Sequence, residues 1–329
     1  MTCDCYFVVL VYSMKTILTG VKPTGVPHVG NFFGAIKPAI NLGANFLFIA
    51  DYHALTTVKD AELMKTLTRD LACSYLACGL NPSKTVFYRQ SDVPQIFELF
   101  TILQNTTTKG LLNRAHAFKA HGQEETVNMG LFNYPMLMSA DILAFNTTHV
   151  PVGQDQKQHI EIAQSIARAF NAVYGETLVV PSPLIEKDVA TIPGLDGRKM
   201  SKSYNNQIPL FAAPGELKKT IMRITTDSSL PAEPKPTEHV LFQLYSLFAK
   251  KDETAKMKKR FQTGVGWGEV KTALFEVANR ELTPMREKFD YYQQNYHLVE
   301  KILADGAKNA QIQATKTLDL VKKAVGICP

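Results

Sequence analysis

The string Lys199-Met200-Ser201-Lys202-Ser203 sets two ammonium groups three residues apart within a polar, glycine-bearing stretch, Thr191 to Asn206, that reads as a mobile loop. Cations on such a loop can close over a polyphosphate and neutralise charge that builds on its oxygens in a transition state. Charged loops are usually only solvated, but this five-residue string is rare by chance. A second group, Pro23-Thr24-Gly25-Val26-Pro27-His28-Val29-Gly30-Asn31, lies between a short apolar strand and a helix. The unpaired N–H groups and positive dipole end of a helix start suit a phosphate. Gly30 admits a ligand close to the backbone and His28 adds a donor. A Pro/Gly turn with a surface histidine is the plain alternative.

Two further groups could bind an organic substrate. Val150-Pro151-Val152-Gly153-Gln154-Asp155-Gln156 runs from a strand into a helix. Asp155 can accept from ribose hydroxyls, cap the helix, or do both, and Gln156 can bond a substrate's polar head. Asp141 sits in an apolar helical stretch, after Met136 and Met138 and before Ile142 and Leu143. A buried carboxylate there needs a partner. A Lys or Arg of the protein would serve, and so would the N–H of a ligand.

The elements that must position these residues alternate from Lys15 onward. Thr16-Ile17-Leu18, Asn45 to Ala50 and Thr85 to Tyr88 read as strands, separated by helical patterns over Gly30 to Asn41 and Ala61 to Cys78. Strand, crossover helix and parallel strand imply an open α/β sheet with ligands at the carboxyl ends of its strands. Helical patterns over Ile96 to Gln104, Gly110 to Lys119 and Tyr134 to Ala144 form an insertion at about 95–147. A strand at His149 to Val152 follows, then a helix with an apolar stripe at Ile160, Ala163, Ile166 and Phe170, and a last strand at Leu178-Val179-Val180. From Pro214 to Val325 only helices appear, so a second, helical domain is expected over 207–329.

The 329 residues allow about two domains. A composition of 45% hydrophobic and 20% charged residues is that of an ordinary globular protein and argues against disorder or a disulfide scaffold. The longest apolar run, Tyr6 to Tyr12, has seven residues. About 18 are needed to span a bilayer. No Lys or Arg precedes the run, as a signal peptide would require. Five scattered cysteines suit a reducing compartment, and Cys3-x-Cys5 has no second pair at zinc-site spacing. A cytoplasmic protein with no bound metal is the expectation. Charge is uneven: 17 basic residues face 16 acidic ones over 1–205, and 19 face 14 over 206–329. Within the basic part, Lys250, Lys251, Lys256, Lys258, Lys259 and Arg260 could meet a phosphate backbone or form a solvated helix face.

Together these strings resemble the class I aminoacyl-tRNA synthetases. Pro27-His28-Val29-Gly30-Asn31 stands where that class has its HIGH signature, and Lys199 to Ser203 matches its KMSKS signature without a mismatch. Within the class the chain is similar to the tryptophanyl-tRNA synthetases of bacterial type, on Phe48-Ile-Ala-Asp-Tyr-His53, Tyr134 to Asp141, and Pro151 to His159. The resemblance implies a Rossmann-type catalytic domain over 14–206, an anticodon-reading helical domain over 207–329, a homodimer, and tRNA(Trp), L-tryptophan and ATP with Mg2+ as partners. His28, Asn31, Lys199 and Lys202 would be catalytic. Lys22, Pro23, Thr24, Gly30, Asn31, Gly153, Gln154, Asp155, Ile192, Lys199, Met200, Ser201, Lys202 and Ser203 would contact ATP. Asp141 would select the indole, Tyr134 and Gln156 would hold the ammonium group, and His53, Met138, Val150 and Val152 would complete the pocket. Lys250, Lys251, Lys258, Lys259 and Arg260 would meet tRNA. The commoner pattern has Gln at Lys22 and an aromatic at Leu18. Tyrosyl-tRNA synthetases are the nearest rival, and a non-catalytic paralogue, expected to carry a broken signature, is a second. Because the resemblance starts at Met14, residues 1–13 are expected to be an appended segment or a mis-assigned start.

Overall fold

Five short parallel strands form the centre of the computed structural model, which describes residues 15–114, 128–153, 156–185 and 191–327. β1 (Leu18–Val21), β2 (Phe46–Ile49) and β3 (Val86–Arg89) pair side by side, and β4 (His149–Val152) pairs with β5 (Ser182–Ile185). A parallel bridge from Ile17 to His149 joins the two sets, giving the spatial order β3-β2-β1-β4-β5. Strand order reverses between β1 and β4, and the crevice at that switch point is where such sheets bind ligands.

The helices in chain order begin with α1 (Val29–Asn31), continued through a π turn (Phe32–Ile36) into α2 (Lys37–Asn41). Then come α3 (Asp51–Ala54), α4 (Ala61–Ala77), α5 (Gln95–Leu103), α6 (Lys109–Leu112), α7 (Met129–Leu143) and α8 (Lys157–Tyr174). The C-terminal set is α9 (Pro214–Met222), α10 (Val240–Phe248), α11 (Lys251–Thr263), α12 (Trp267–Gln294) and α13 (Tyr296–Val325). Alternation along the strands supplies two cores. Leu47, Ile49 and Phe87 join one core with α2's neighbourhood, α4, α10 and α12, while Phe48 and Tyr88 join another with α5, α7 and α8. Ile208, Leu210 and Leu241 share the first core with Val29 and Leu71, so residues on both sides of position 207 pack together.

α13 gives Val299 and Leu303 to the first core and Ala310, Leu318 and Val321 to the second, crossing the edge of β3. A Cβ at Gly306 would stand 1.9 Å from the Phe87 carbonyl oxygen, so only glycine lets the helix lie on that edge. Arg89 Nη1 donates to Glu300 at 3.0 Å beside the crossing.

The last strand differs from expectation. Leu178 gives its N–H to Asn171 Oδ1 (2.9 Å) and its carbonyl accepts from Asn171 Nδ2 (2.8 Å). Backbone groups already held by a side chain of α8 are not free for a ladder. Pairing passes to Ser182–Ile185, where Pro183 is tolerated because β5 is an edge.

Candidate functional site

A cavity of about 380 Å³ opens at the carboxyl ends of β1, β2 and β4. Asp141 reaches it from α7 and is fully buried. The carboxylate is held by two neighbours: Gln90 Nε2 donates to Oδ1 (2.9 Å) and Oδ2 (3.1 Å), and His53 Nε2 donates to Oδ2 (2.9 Å). Burial pushes the Asp141 carboxyl above the usual range, and the His53 and Gln90 hydrogen bonds pull it back. The rest of the wall is largely apolar, with Leu18, Phe48, Met138, Ile142 and Val150. An apolar chamber ending in an acceptor-only carboxylate suits a flat ring that carries one N–H donor.

The mouth of this cavity is polar. Tyr134 hydrogen-bonds His159 Nε2, and burial pushes its phenol up to about 12, so it stays protonated at neutral pH. Lys22 Nζ donates to Thr56 Oγ1 at 3.0 Å, and burial lowers its pKa. Gln156 also lines the cavity.

A second cleft, of about 530 Å³, lies between the start of α1 and the segment 191–206. His28 caps α1: its Nδ1 accepts from the Asn31 N–H (3.1 Å), and Asn31 Oδ1 accepts from the His28 N–H (3.1 Å). A ring whose Nδ1 accepts carries its proton on Nε2. Burial first, and the Lys202 charge second, lower the His28 pKa to about 4, so the ring is a neutral donor at pH 7.

Segment 191–206, expected as a mobile loop, takes the path of a hairpin. Met200 N–H donates to the Ile192 carbonyl (2.9 Å) and Gly194 N–H to the Arg198 carbonyl (2.7 Å). Asn206 closes it: Oδ1 accepts from Ser201 N–H (2.8 Å), and Nδ2 donates to Asp196 Oδ1 (2.7 Å) and to the Lys199 carbonyl (3.1 Å). The two lysine-bearing and histidine-bearing strings then meet directly. Met200 Sδ accepts from the Gly30 N–H at 3.1 Å, and Lys202 Nζ donates to the Thr24 carbonyl at 2.7 Å. A Cβ at Gly30 would fall 2.9 Å from His28 Nδ1 and 3.1 Å from Met200 Cβ, so this approach also needs glycine. Val29 N–H to the Ile208 carbonyl (2.9 Å) and Leu210 N–H to the Pro27 carbonyl (3.2 Å) tie the first string to the chain that leaves the hairpin.

Of the residues expected from sequence, His28, Gly30, Asn31, Ile192, Lys199, Met200, Ser201 and Ser203 line this cleft. His53, Tyr134, Met138, Asp141, Val150 and Gln156 line the Asp141 cavity, and Lys22 lies there too. Val152 and Gly153 instead line a hollow of about 150 Å³ with Thr19 and Pro151, beside Gly34 and Ala35, which the second cleft shares. Pro23 is buried next to Thr24. Gln154 and Asp155 lie outside the described residues, as do residues 1–13.

Gln90 and Asn206 escaped sequence reasoning. The available signals were position alone: Gln90 directly follows the carboxyl end of β3, and Asn206 ends the lysine-bearing segment. Lys250 at the N-cap of α11 and Lys251, Lys258 and Lys259 along it are exposed, whereas Arg260 is paired with Glu269. Among the described residues no group of three or more His, Cys, Asp or Glu converges on a metal-sized site, and no helix is long and apolar enough to cross a membrane.

Residues 14–283 match the family model of the tRNA synthetases class I (W and Y). The chain is 46% identical to the tryptophan–tRNA ligase of Bordetella parapertussis, over 94% of this chain and 73% of that one. It is 45% identical to that of Neisseria meningitidis, over 96% and 99%. Among solved structures, tryptophanyl-tRNA synthetase from Campylobacter jejuni complexed with ADP and tryptophan superposes with a TM-score of 0.89 at 39% identity, covering 94% of this chain and 99% of that one.

Proposed function

The chain belongs to the class I tRNA synthetases (W and Y), and to the tryptophan–tRNA ligases among them, and from that premise we propose a role for each cavity. The enzyme is an ATP-dependent ligase that joins L-tryptophan to tRNA. The Asp141 cavity takes the indole, with Tyr134 and Gln156 at the ammonium group. The cleft between His28–Asn31 and Lys199–Ser203 takes ATP, whose adenosine end extends toward Gly153.

The observation that carries this reading is the fully buried carboxylate of Asp141 at the closed end of an apolar chamber. Indole nitrogen is a donor only, and a carboxylate is an acceptor only. Phenylalanine has no ring donor and tyrosine carries its O–H at the para position, away from where indole places its N–H, and sites built around a ligand hydrogen bond can reject analogues without it by roughly 10⁴ to 10⁵.

In the first step the tryptophan carboxylate attacks the α-phosphorus of ATP, forming the mixed anhydride tryptophanyl-adenylate as pyrophosphate leaves. His28, neutral with its proton on Nε2, donates to a phosphate oxygen, and Lys199 and Lys202 balance the charge moving onto pyrophosphate. Magnesium, brought with ATP, would supply further charge neutralisation beside Lys199 and Lys202. In the second step a hydroxyl of the tRNA terminal adenosine attacks the activated carbonyl and AMP leaves. The helices beyond residue 207, with Lys250, Lys251, Lys258 and Lys259 exposed, read the tRNA, in a cytoplasmic homodimer.

Exchange of pyrophosphate into ATP tests the assignment. Tryptophan alone should support it, tyrosine and phenylalanine should not, and Asp141→Ala should sharply weaken the tryptophan-dependent reaction. Unchanged discrimination in Asp141→Ala would sink the indole assignment.

A further inference from the structure

A carboxylate offers four lone-pair directions, two on each oxygen. On Asp141, one N–H of Gln90 Nε2 is shared between the facing lone pairs of Oδ1 (2.9 Å) and Oδ2 (3.1 Å), and His53 Nε2 takes the second direction on Oδ2 (2.9 Å). One direction is left, on Oδ1. We propose that Gln90 is a positioning residue for substrate selection: its amide pins the Asp141 carboxylate so that a single acceptor site remains for the cavity, aimed where the ring N–H of indole can donate to it. This deepens the tryptophan assignment above and rests on it.

Gln90 is fully buried and is absent from the cavity wall, so it acts through Asp141 and not by touching substrate. Its orientation is dictated by charge. Turning the amide over would set Oε1 against the carboxylate, lone pair to lone pair. In the orientation observed, Gln90 Oε1 is buried with no hydrogen-bond partner among the described residues, and so is Tyr88 Oη on the same strand end. A core that leaves a carbonyl oxygen unsatisfied in order to aim an amide N–H at Asp141 invests in the carboxylate's geometry. The groups facing Asp141 from its surroundings are His53 and Asp51 on α3, and Tyr88 and Gln90 at the end of β3. Burial and the Asp51 charge favour a protonated Asp141, whereas His53 and Gln90 favour the ionised acceptor. A protonated carboxyl would offer a rotatable O–H where the substrate needs an acceptor.

The test uses the intact enzyme and Gln90→Met, which keeps the side chain's length and removes its amide. The readout is kcat/KM in pyrophosphate exchange for tryptophan and for 3-(1-benzothiophen-3-yl)alanine, in which sulfur replaces the indole N–H. Gln90→Met should lower the tryptophan-to-analogue ratio by roughly ten- to a hundredfold, the worth of a hydrogen bond to a charged group. It should also move the acid limb of kcat/KM for tryptophan to higher pH and leave the KM for ATP in place. A merely structural role would not shift the acid limb. An unchanged ratio and limb in Gln90→Met, with the ratio collapsed in Asp141→Ala, overturns the role of Gln90 while the pocket assignment stands. An unchanged ratio in Asp141→Ala removes the pocket assignment itself. If Gln90→Met fails to fold, Gln90→Asn, whose amide falls a methylene short of the carboxylate, is scored by the same two measurements.

Discussion

Asn206→Ala should uncouple ATP chemistry from tryptophan binding. Asn206 is 3% exposed and bonds both Ser201 N–H and the Lys199 carbonyl, so alanine strands two backbone groups inside the hairpin. Each bond is worth about 1 kcal/mol, and up to about 3 kcal/mol where the remaining partner stays dry. A cost of about 2 to 4 kcal/mol therefore falls on a segment whose task is to hold Lys199 at the cleft and Lys202 against Thr24. Donors aimed at transition-state charge are worth roughly 10² to 10³ in kcat, so a loosened hairpin should slow pyrophosphate exchange by about 10². No residue of the hairpin lines the Asp141 cavity, and tryptophan affinity by equilibrium dialysis should hold. Asn206→Asp, which keeps the acceptor for Ser201 but sets a second carboxylate against Asp196, should fall between. Wild-type ATP kinetics in Asn206→Ala, or a loss shared equally with tryptophan affinity, would refute the reasoning.

Three other outcomes follow from the same geometry. His28 has a folded pKa of about 4 against 6.5 when free, so the unfolded chain takes the proton first as pH falls. Its contribution to stability is complete above pH 6.5 and lost between 6.5 and 4, on the order of 3 kcal/mol at most; denaturation of His28→Asn, which keeps a helix cap, should show that much less acid sensitivity. The resemblance sets Lys22 at ATP although it lines the Asp141 cavity, so Lys22→Gln should raise the KM for ATP by roughly two- to fivefold, as expected for one partly exposed cation, and an unchanged KM for ATP removes that contact. Charge reversal at Lys251, Lys258 and Lys259 should weaken aminoacylation and reduce its salt dependence by roughly 0.7 to 0.9 in log–log slope per lost phosphate contact, with tRNA-free exchange unaffected. An unchanged slope returns these lysines to solvent.

Much of the fold was legible because its signals are local. Leu47, Phe48 and Ile49 form an apolar run that only a strand buried on both faces accommodates, and the pattern from Ala61 to Cys78 has the period of one buried helix side. The strand at Leu178 to Val180 misled because its apolar residues satisfy the same pattern, while the competing Asn171 side chain lies on another element. The lysine-bearing and histidine-bearing strings were legible as candidate phosphate chemistry, since Lys199 and Lys202, and His28 with Gly30, carry the residue types that phosphate requires. Their contact through Met200 Sδ and Gly30 N–H joins positions 170 residues apart and has no local signature.

Residue types and spacing by themselves pointed to phosphate chemistry at two strings, the α/β sheet and a buried carboxylate at Asp141 in need of a partner, because each depends on a few neighbouring residues whose chemistry is fixed by their side chains, and the reaction class came with the family resemblance that those strings carry. Tertiary structure alone decided which side chains hydrogen-bond that acceptor. Gln90 directly follows β3 and His53 lies on α3, directly after β2, and the parallel register of β2 and β3 brings them to one carboxylate on α7. The same is true of the C-terminal helices. Their basic surplus is a property of composition, whereas the passage of α13 over β3 at Gly306 depends on a backbone approach that no side-chain pattern announces.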